Sequence, residues 1–313
     1  MKIFYGVEHL PLFPNTIISI GSFDGLHQGH QIILSNLVKY AQKHKGTSIL
    51  ITFDPHPRKL LYPQQSLKLL SSFEDRLELM EQIGLDVIVV VPFTKDFAAL
   101  SAANYIENFL IKKFQPKTII IGYDHKFGHD RSGDIKMLEQ WALKAHFQLI
   151  EIPEHQISDA AISSTKIRQA LEKGQVSQAH NMLGRPYRLS GKVIKGQQLG
   201  RTLGYPTANI EVSNTDLLIP ALGIYIVQAI IQNKKYPAMM SIGYNPTTSQ
   251  DQRLKLEVHL LDFNQDLYGQ SLQIDFLEFI RKEAFFENLE QLKLQIQEDE
   301  KLSREWFTAH NSI

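Results

Sequence analysis

Apolar strand patterns and amphipathic helix patterns alternate through the first half of the chain. Short runs rich in Ile and Val predict strands at 17–20, 48–53, 87–91, 118–121 and 147–152. Apolar residues at helical spacing predict helices between them at 28–44, 71–84, 101–113 and 134–146, with further short helices at 165–173 and 176–183. Ser71 and Glu74 have capping-box spacing, and Asp134 can cap the helix that follows it. Continuous apolar strands separated by helices are typical of a parallel sheet covered on both faces, so we predict an α/β domain over 1–183.

The pattern changes near residue 184. Short strands separated by Gly, Pro, Asn and Asp are predicted from there on, among them 190–194, 224–231, 236–242 and 254–261. Apolar and polar residues alternate over 254–260, which is typical of a strand with one buried face. We therefore predict an all-β module, a small barrel, over 184–313. The tail 286–306 predicts a helix packed on this barrel through Leu289, Leu292, Ile296 and Leu302.

Charge and composition exclude several classes of function. The 313 residues include 33 Lys and Arg against 33 Asp and Glu, and this balance argues against a general nucleic-acid binder. The chain has no cysteine, which excludes a disulfide framework, a Cys nucleophile and a thiolate metal site, and fits a reducing compartment. No apolar run has the length of a membrane span or signal peptide. We expect a cytoplasmic protein without nucleic-acid or membrane partners, and the sequence predicts no oligomeric state.

The segment GSFDGLHQGH at 21–30 joins the first predicted strand to the first predicted helix. Neither GxGxxG nor GxxxxGK[ST] occurs, which excludes the dinucleotide fingerprint and the P-loop. Glycines allow close approach of a phosphate, and the helix N-terminus attracts its charge. Two histidines three residues apart share a helix face, where they could donate to phosphate oxygens or merely bond locally. With the preceding strand, the motif favours a nucleotide site that includes Gly21, Phe23, Asp24, His27 and His30.

A second segment, ISSTKIR at 162–168, places consecutive hydroxyl groups at a predicted helix start, followed by two cations. Alone, this pattern fits an ordinary helix cap. Beside the histidine motif it favours triphosphate binding, with the candidate residues Ser163, Ser164, Thr165 and Arg168.

Two aspartates follow predicted strands of the same module, Asp54 in FDPHP and Asp124 in GYDHKFG. Both could reach the same crevice and contact substrate or a hydrated metal, or could instead cap turns. Arg131 lies in a predicted loop at 129–133, where it could meet a phosphate or be a solvated surface residue.

The barrel module carries its own motif, GRTLGYPTANI at 200–210. Thr207 and Asn209 are two apart, so on an extended segment they point to one side. A hydroxyl and an amide oxygen suit Mg²⁺ that takes its other ligands from ATP phosphates and water. The alternative is a polar barrel rim. The glycine-rich loop 191–204 could fold over phosphates with Lys192, Gly200 and Arg201.

Glu257 stands among apolar neighbours on a predicted strand. A buried carboxylate is costly unless it has a partner or a task. Phosphoryl transfer to an alcohol needs a group that orients and deprotonates the hydroxyl, and Glu257 is the candidate base. The alternative is an exposed strand residue paired with a neighbouring Lys.

These motifs, with SIGYNPT at 241–247 and FIR at 279–281, occur in the order seen in prokaryotic bifunctional riboflavin kinase/FAD synthetases. The chain resembles this family from residue 21 to the C-terminal helix. Its first module also resembles the wider HxGH nucleotidyltransferase superfamily. The resemblance implies a Rossmann-like FMN adenylyltransferase domain, followed by a riboflavin kinase domain with a six-stranded barrel and a C-terminal helix.

The resemblance also implies residue roles. In the first site, ATP would be handled by His27, His30, Ser164, Thr165 and Arg168, and Asp124 would contact nucleotide or flavin. In the second, Thr207 and Asn209 would hold Mg·ATP, Glu257 would be the base and Arg281 would contact ligand. The implied substrates and products are riboflavin, FMN, FAD, ATP, ADP and pyrophosphate, with Mg²⁺ and without a permanently bound redox cofactor. The roles of Asp54, Arg131 and Arg201 stay open.

Two alternatives accompany this interpretation. One is a different nucleotidyltransferase whose barrel senses a substrate, and flavin binding by the purified protein would count against it. The other is a flavin-binding regulator without turnover, which absence of ATP consumption would favour.

Overall fold

The computed structural model describes residues 1–64, 67–154, 162–196, 200, 203–212, 214–244 and 254–310. Contacts divide the chain into two units, Met1–Ser164 and Thr165–Ile313. The first contains a parallel sheet and the second a closed antiparallel barrel, which confirms the predicted combination of α/β and all-β folds.

The sheet of the first unit is built from six strands: β1 (Lys2–Tyr5), β2 (Thr16–Ile20), β3 (Thr47–Asp54), β4 (Val87–Pro92), β5 (Thr118–Gly122) and β6 (Gln148–Ile152). Their order is β1-β4-β3-β2-β5-β6. Strand β2 pairs in parallel with β3 on one side and β5 on the other. The chain order reverses at this point, and such a switch point opens a ligand crevice beyond the carboxyl ends of the strands. Strand β1, a short edge strand, was missed by the sequence pattern.

Helices cover both faces of this sheet. They are α1 (Gln28–Lys43), α2 (Pro57–Leu61), α3 (Phe73–Ile83), α4 (Lys95–Ala98), α5 (Ala102–Asn104), a π-helical segment (Tyr105–Ile111), α6 (Lys112–Phe114), a 3₁₀ turn (His129–Arg131) and α7 (Ile135–Ala145). Helices α1 and α3 pack on the face that presents Leu50 and Ile88. The segment from α5 to α6 and helix α7 pack on the opposite face, which presents Ile49 and Val89.

The predicted cap of α3 is displaced by one residue. Ser72, not Ser71, accepts a hydrogen bond from the backbone N–H of Asp75 at 3.0 Å. Ser71 is engaged elsewhere, because its hydroxyl oxygen accepts the N–H of Gly25 at 3.1 Å. Asp134 caps α7 as predicted, accepting the N–H of Met137 at 3.1 Å.

The barrel of the second unit closes in the order β10-β11-β8-β7-β12-β9. Its strands are β7 (Tyr187–Ile194), β8 (Ala208–Val212), β9 (Gly223–Ile231), β10 (Lys234–Tyr244), β11 (Leu254–Leu260) and β12 (Ser271–Arg281). The predicted alternation in β11 is confirmed, since Leu256, Val258 and Leu260 are buried. Arg188 on β7 makes two hydrogen bonds, at 2.6 and 2.8 Å, to Asp275, its register partner on β12.

Two helices before the barrel belong to its unit by contacts. In helix α8 (Ser164–Glu172), the Leu171 carbonyl oxygen accepts a hydrogen bond from the backbone N–H of Ala221 at 3.0 Å. Helix α9 (Val176–Leu183) is held to β12 because Ser177 donates to the Glu278 carboxylate at 2.9 Å. The contact units thus divide at 164/165, whereas the domain boundary at 183/184 stays a prediction. Helical periodicity shows which face of a helix is buried but not which sheet buries it.

The C-terminal helix α10 spans Leu289–Ala309, close to its predicted position. Its predicted apolar face is partly wrong, because Leu289 and Leu302 are 56% and 44% exposed. The residues of α10 that are buried are Asp299 and Ser303. Hydrogen bonds and an ion pair therefore contribute to the attachment of α10 to the barrel. No helix in the described ranges combines the length and apolar character that a membrane crossing requires.

We predict that a fragment 165–313 is more stable than a fragment 184–313. The shorter fragment lacks Ile167, Leu171, Val176 and Leu183, all buried at 1% exposure or less. Each fully buried aliphatic side chain contributes about 1.5–3 kcal/mol, so the free energy of unfolding should fall by several kcal/mol. Urea denaturation followed by circular dichroism measures this difference, and equal midpoints with equal slopes would contradict the assignment of α8 and α9 to the barrel.

Candidate active sites

A tight turn carries the chain from β2 into α1. Strand β2 is fully buried, and the N–H of Gly21 continues its ladder by donating to the Ile51 carbonyl at 3.0 Å. The backbone then enters the left-handed region at Phe23, Gly25 and Leu26, with φ values of 49°, 77° and 39°. Non-glycine residues adopt such angles only where the surroundings enforce them. His27 ends the turn as the N-cap of α1.

The two histidines of the turn stack on each other. Their ring centroids lie 3.6 Å apart with an interplanar angle of 17°. The Nδ1 atom of His27 accepts the backbone N–H of His30 at 3.4 Å, so a neutral His27 ring carries its proton on Nε2. Burial lowers the pKa of His30 well below its usual range, and the neighbouring His27 and Arg76 lower it further. At neutral pH His30 is therefore an uncharged imidazole, and His27 offers an N–H donor.

Loop 69–71 and Ser164 support the turn from two sides. The Asp24 carboxylate is 3% exposed and accepts the Leu70 N–H at 3.0 and 3.2 Å. The Ser164 hydroxyl donates to the Asp24 carbonyl oxygen at 3.1 Å. The structure therefore brings Ser164 to the histidine turn, as the two motifs predict, and gives Asp24 a supporting contact. Ser163 directly precedes α8, whereas Thr165 and Arg168 lie within α8 and belong to the second unit.

Phe23 and Gly21 shape the inner wall of the turn. Phe23 is 4% exposed and lies edge-on to the His30 ring at 5.1 Å. A Cβ atom on Gly21 would come within 2.9 Å of the Phe23 ring, so a larger residue there would displace it. Both predicted residues thus contribute packing rather than exposed polar groups.

Arg76 is a buried cation at this turn that the sequence motifs did not reveal. It is 2% exposed, and one guanidinium nitrogen donates to the Ser22 carbonyl oxygen at 2.6 Å. Its Nε atom is buried without a hydrogen-bond partner in the described part of the chain. Burial lowers the pKa of Arg76, while Asp24 and Asp54 act in the opposite direction. The available signal was its position, three residues after Phe73 and four before Met80 on the apolar face of α3.

The other polar candidates of the first unit lie at the same edge of the sheet. Asp54 is the last residue of β3 and Asp124 follows β5 closely, and both are exposed. Parallel strands β3 and β5 flank β2, so their carboxyl ends meet at the crevice. Arg131 is exposed on its 3₁₀ turn. Burial, with a smaller contribution from Arg131, lowers the pKa of His125 to about 4.

In the barrel, the register of two strands places Glu257 opposite Asn209. The two residues are direct partners in the antiparallel ladder between β11 and β8. Cross-strand partners present their side chains on the same face about 5 Å apart. Leu256 and Val258 point into the barrel core, so Glu257 and Asn209 face outward together. Burial raises the pKa of Glu257, and Lys255 partly offsets this effect.

Glycine backbone lies against the two candidate metal ligands. A Cβ atom on Gly196 would come within 2.1 Å of the Asn209 side-chain nitrogen. A Cβ atom on Gly200 would lie 2.2 Å from the Tyr205 carbonyl oxygen and 3.3 Å from Thr207 Oγ1. The loop can therefore approach Asn209 and the Tyr205 carbonyl oxygen, two residues before Thr207, this closely only with glycine.

The donor set fits Mg²⁺ bound together with a nucleotide. In the described ranges no three His, Asp or Glu side chains form a cluster that could hold a metal on their own. The uncharged oxygen atoms of Thr207 and Asn209 are of the kind that Mg²⁺ prefers, but they bind it weakly. Mg²⁺ with two such ligands takes its remaining ligands from phosphates and water.

The remaining predicted residues of the barrel have different surroundings. Lys192 is exposed on β7, and Arg201 lies outside the described residues. Arg281, at the end of β12, makes two hydrogen bonds to the Asp299 carboxylate at 2.9 and 2.7 Å. A ligand contact by Arg281 stays a prediction, and its bonds in this structure hold α10.

Known proteins match this chain along nearly its whole length. The FAD synthetase family model matches residues 11–166, and the riboflavin kinase family model matches residues 183–307. A bifunctional riboflavin kinase/FMN adenylyltransferase of Buchnera aphidicola subsp. Schizaphis graminum is 38% identical, covering 98% of this chain and 99% of its own. Those of Listeria monocytogenes and Escherichia coli K12 are 36% and 34% identical, covering 94% and 98% of this chain and 93% and 98% of their own.

This chain belongs to the bifunctional riboflavin kinase/FMN adenylyltransferase family. The resemblance inferred from the motifs is confirmed, as is the class of function: an enzyme of flavin cofactor biosynthesis that uses ATP. A solved chain from Streptococcus pneumoniae, described as a macrolide-efflux protein, has a TM-score of 0.89 and 31% identity, covering 98% of this chain and 100% of its own. The shared fold thus extends over both domains.

The riboflavin kinase match also weakens the alternative in which the barrel only senses a substrate. A barrel that only senses substrate would not need the Asn209–Glu257 pair next to a glycine-lined loop. The histidine turn belongs to the adenylyltransferase domain, and the Asn209–Glu257 pair belongs to the kinase domain.

We predict that Arg76→Met impairs FAD formation selectively. The variant keeps an apolar chain of similar length but loses the bond to the Ser22 carbonyl, so the histidine turn loses a fixed support. Small displacements of catalytic groups cost up to ~10²-fold in rate, and we expect a loss of about 10-fold or more. FAD formation from FMN and FMN formation from riboflavin are measured on the same preparation. An equal loss of both activities, or of neither, would contradict a local role.

We predict that His125 makes stability depend on pH. Its pKa is about 4 in the folded chain and ~6.5 when unfolded, so the unfolded state binds more protons between these values. The contribution of His125 to the free energy of unfolding is therefore fully present above pH ~6.5. Below that pH the free energy of unfolding falls, by up to ~1.4 kcal/mol per pH unit. His125→Gln should flatten this dependence in urea denaturation at pH 7 and pH 5. The exposed His9→Gln variant is the control, and equal slopes in both variants would refute the assignment.

Proposed function

We propose that the first domain transfers the adenylyl group of ATP to FMN, and that the barrel domain phosphorylates riboflavin with ATP. The two family models on separate segments support this division. The observation that carries the kinase assignment is the ladder pairing of Glu257 with Asn209. A carboxylate with a raised pKa beside Asn209, whose amide oxygen could bind Mg²⁺, supports this assignment.

The adenylyl transfer needs donors rather than a strong base. The phosphate of FMN is already anionic, so one of its oxygens attacks the α-phosphorus while the bond to the bridging oxygen of pyrophosphate breaks. Negative charge moves onto the pyrophosphate, and His27 and His30 at the N-terminus of α1 would donate to it. The Ser164 hydroxyl, Thr165 and Arg168 would bind the triphosphate. Mg²⁺, when bound with ATP, would neutralise part of this charge.

The kinase reaction starts from a neutral alcohol and therefore needs a base. The Glu257 carboxylate would accept the proton of the terminal ribityl hydroxyl as its oxygen attacks the γ-phosphorus, and ADP leaves. A raised pKa brings this carboxylate closer to the working pH, which makes it a better base than an exposed one. Thr207 and Asn209 would hold Mg²⁺ with ATP, which supplies charge neutralisation at the phosphates.

We further propose that the enzyme works in the cytoplasm with ATP as co-substrate in both reactions. Its ligands would be riboflavin, FMN, FAD, ATP, ADP and pyrophosphate, without a permanently bound redox cofactor. The absence of cysteine and the balanced charge are in keeping with this setting. Incubation with riboflavin, ATP and Mg²⁺, followed by chromatographic separation of the flavins, tests the assignment. Accumulation of FMN and then FAD is expected, and unchanged riboflavin would overturn it.

His30→Ala should lower FAD formation from FMN by ~10²-fold or more, because a donor to the developing charge is lost. FMN formation from riboflavin should persist, since Glu257 and its surroundings are untouched. Product ratios by chromatography measure both steps. Normal FAD formation in this variant would place the adenylyl site elsewhere.

Glu257→Gln should lower FMN formation by ~10²–10⁴-fold, because Gln keeps the shape of the side chain but cannot accept the proton. ATP binding should survive, since a carboxylate repels the triphosphate rather than holding it. The same variant supplied with FMN should form FAD at a rate close to that of the unmodified chain. If riboflavin is phosphorylated normally, Glu257 is a structural strand residue.

A further inference from the structure

Helix α10 is fastened to the barrel by a buried ion pair. Arg281 on β12 makes its two bonds to Asp299, which is 2% exposed. The hydroxyl of Ser303, fully buried one turn later, donates to the Asp299 carbonyl at 2.8 Å. A buried ion pair whose hydrogen bonds have fixed directions holds the helix at a single angle of rotation about its axis. This rotation determines where the next residue, Glu300, is directed.

Glu300 contacts the segment that leads into the candidate metal ligands. The Tyr205 hydroxyl donates to Glu300 Oε2 at 3.1 Å. The other carboxylate oxygen accepts from Arg304 Nε at 2.8 Å. Arg304 is itself held by two bonds, each 2.8 Å, to the carboxylate of Asp262, which follows β11. Glu300 is thus held in place on one side while it holds Tyr205 on the other.

The segment around Tyr205 is also fixed to β11. The His259 ring lies edge-on to the Tyr205 ring at 5.2 Å, and its Nδ1 lies 2.8 Å from the Pro206 carbonyl oxygen. Tyr205 also donates its backbone N–H to the Gly200 carbonyl at 2.7 Å. Residues 205 and 206 are therefore held by α10, by β11 and by the glycine loop together.

Thr207 follows directly, and its side chain makes no hydrogen bond within the described ranges. The position of its hydroxyl oxygen therefore follows from the backbone that the preceding two residues fix. Glu257 sits on β11 and depends on its ladder rather than on Tyr205. A disturbance of the Tyr205 contact should thus affect nucleotide binding more than the proton transfer.

We propose that Tyr205 and Glu300 are positioning residues of the riboflavin kinase reaction, through which α10 sets the position of Thr207 toward Mg·ATP. This inference rests on the proposed kinase function of the barrel. It assigns α10 a task in the reaction besides packing, and it gives Arg281 an indirect role through Asp299.

The test uses the full chain with Tyr205→Phe, Glu300→Ala and the double variant. Riboflavin phosphorylation is measured at varied ATP and constant free Mg²⁺. Each single variant should raise KM for ATP about 3- to 10-fold, which is what the loss of one hydrogen bond yields, and should change kcat much less. The double variant should be no worse than either single variant, because both remove the same contact.

Three controls separate a positioning role from general damage. Glu298→Ala removes an exposed carboxylate of the same helix that has no partner among the described residues, and KM for ATP should not change. Glu300→Gln can still bond both Tyr205 and Arg304, and it should stay close to the unmodified chain. An unchanged midpoint in urea denaturation followed by circular dichroism reports correct folding of the barrel, and unchanged FAD formation from FMN reports an intact first domain.

Two results would overturn the inference. If Tyr205→Phe leaves KM for ATP equal to that of Glu298→Ala while the unmodified chain phosphorylates riboflavin, the positioning role is wrong and the kinase assignment stands. If the unmodified chain forms no FMN from riboflavin, the proposed kinase function is wrong, and the positioning role falls with it. Tyr205→Phe is isosteric, so it remains decisive even where Glu300→Ala lowers the urea midpoint of the barrel.

Discussion

The antiparallel pairing of β8 with β11 is the constraint on which the proposed chemistry of the barrel depends. Backbone hydrogen bonds fix the register, and the register alone brings Glu257 beside Asn209, 48 positions away in the chain. A slip of β11 by one residue would turn Glu257 into the core and bring Leu256 or Val258 outward beside Asn209. The same strand places His259 against Pro206, so the strand that carries the proposed base also supports the segment that carries the candidate metal ligands.

Burial shifts the pKa of one candidate residue in each site, downward for His30 and upward for Glu257. In the first domain it keeps His30 uncharged, so that this ring would act in the proposed adenylyl transfer as a neutral N–H donor. In the barrel it makes Glu257 more basic, which suits a reaction whose nucleophile must lose a proton. One physical cause, the cost of charge away from water, thus provides a neutral imidazole in one domain and a stronger base in the other.

Local patterns were sufficient for the folds and for the family, but not for long-range contacts. The period of apolar residues predicts the strands around Ile18 and Val258 because each buries one or both faces. It cannot show that Arg281 will meet Asp299, or that Arg76 will reach the carbonyl of Ser22, 54 residues earlier. Such pairs depend on how helices lie on sheets, and this is decided by the whole core. For the same reason, the polar attachment of α10 emerged only from the contacts.

The most direct test is a crystal structure of the full chain with riboflavin, Mg²⁺ and a non-hydrolysable ATP analogue. We expect the metal and the terminal phosphates beside Thr207 Oγ1 and the Asn209 side-chain oxygen. The terminal ribityl hydroxyl should lie at hydrogen-bond distance from the Glu257 carboxylate, roughly 2.6–3.2 Å. A complex in which the hydroxyl and the γ-phosphate meet away from Glu257 and Asn209 would contradict the account.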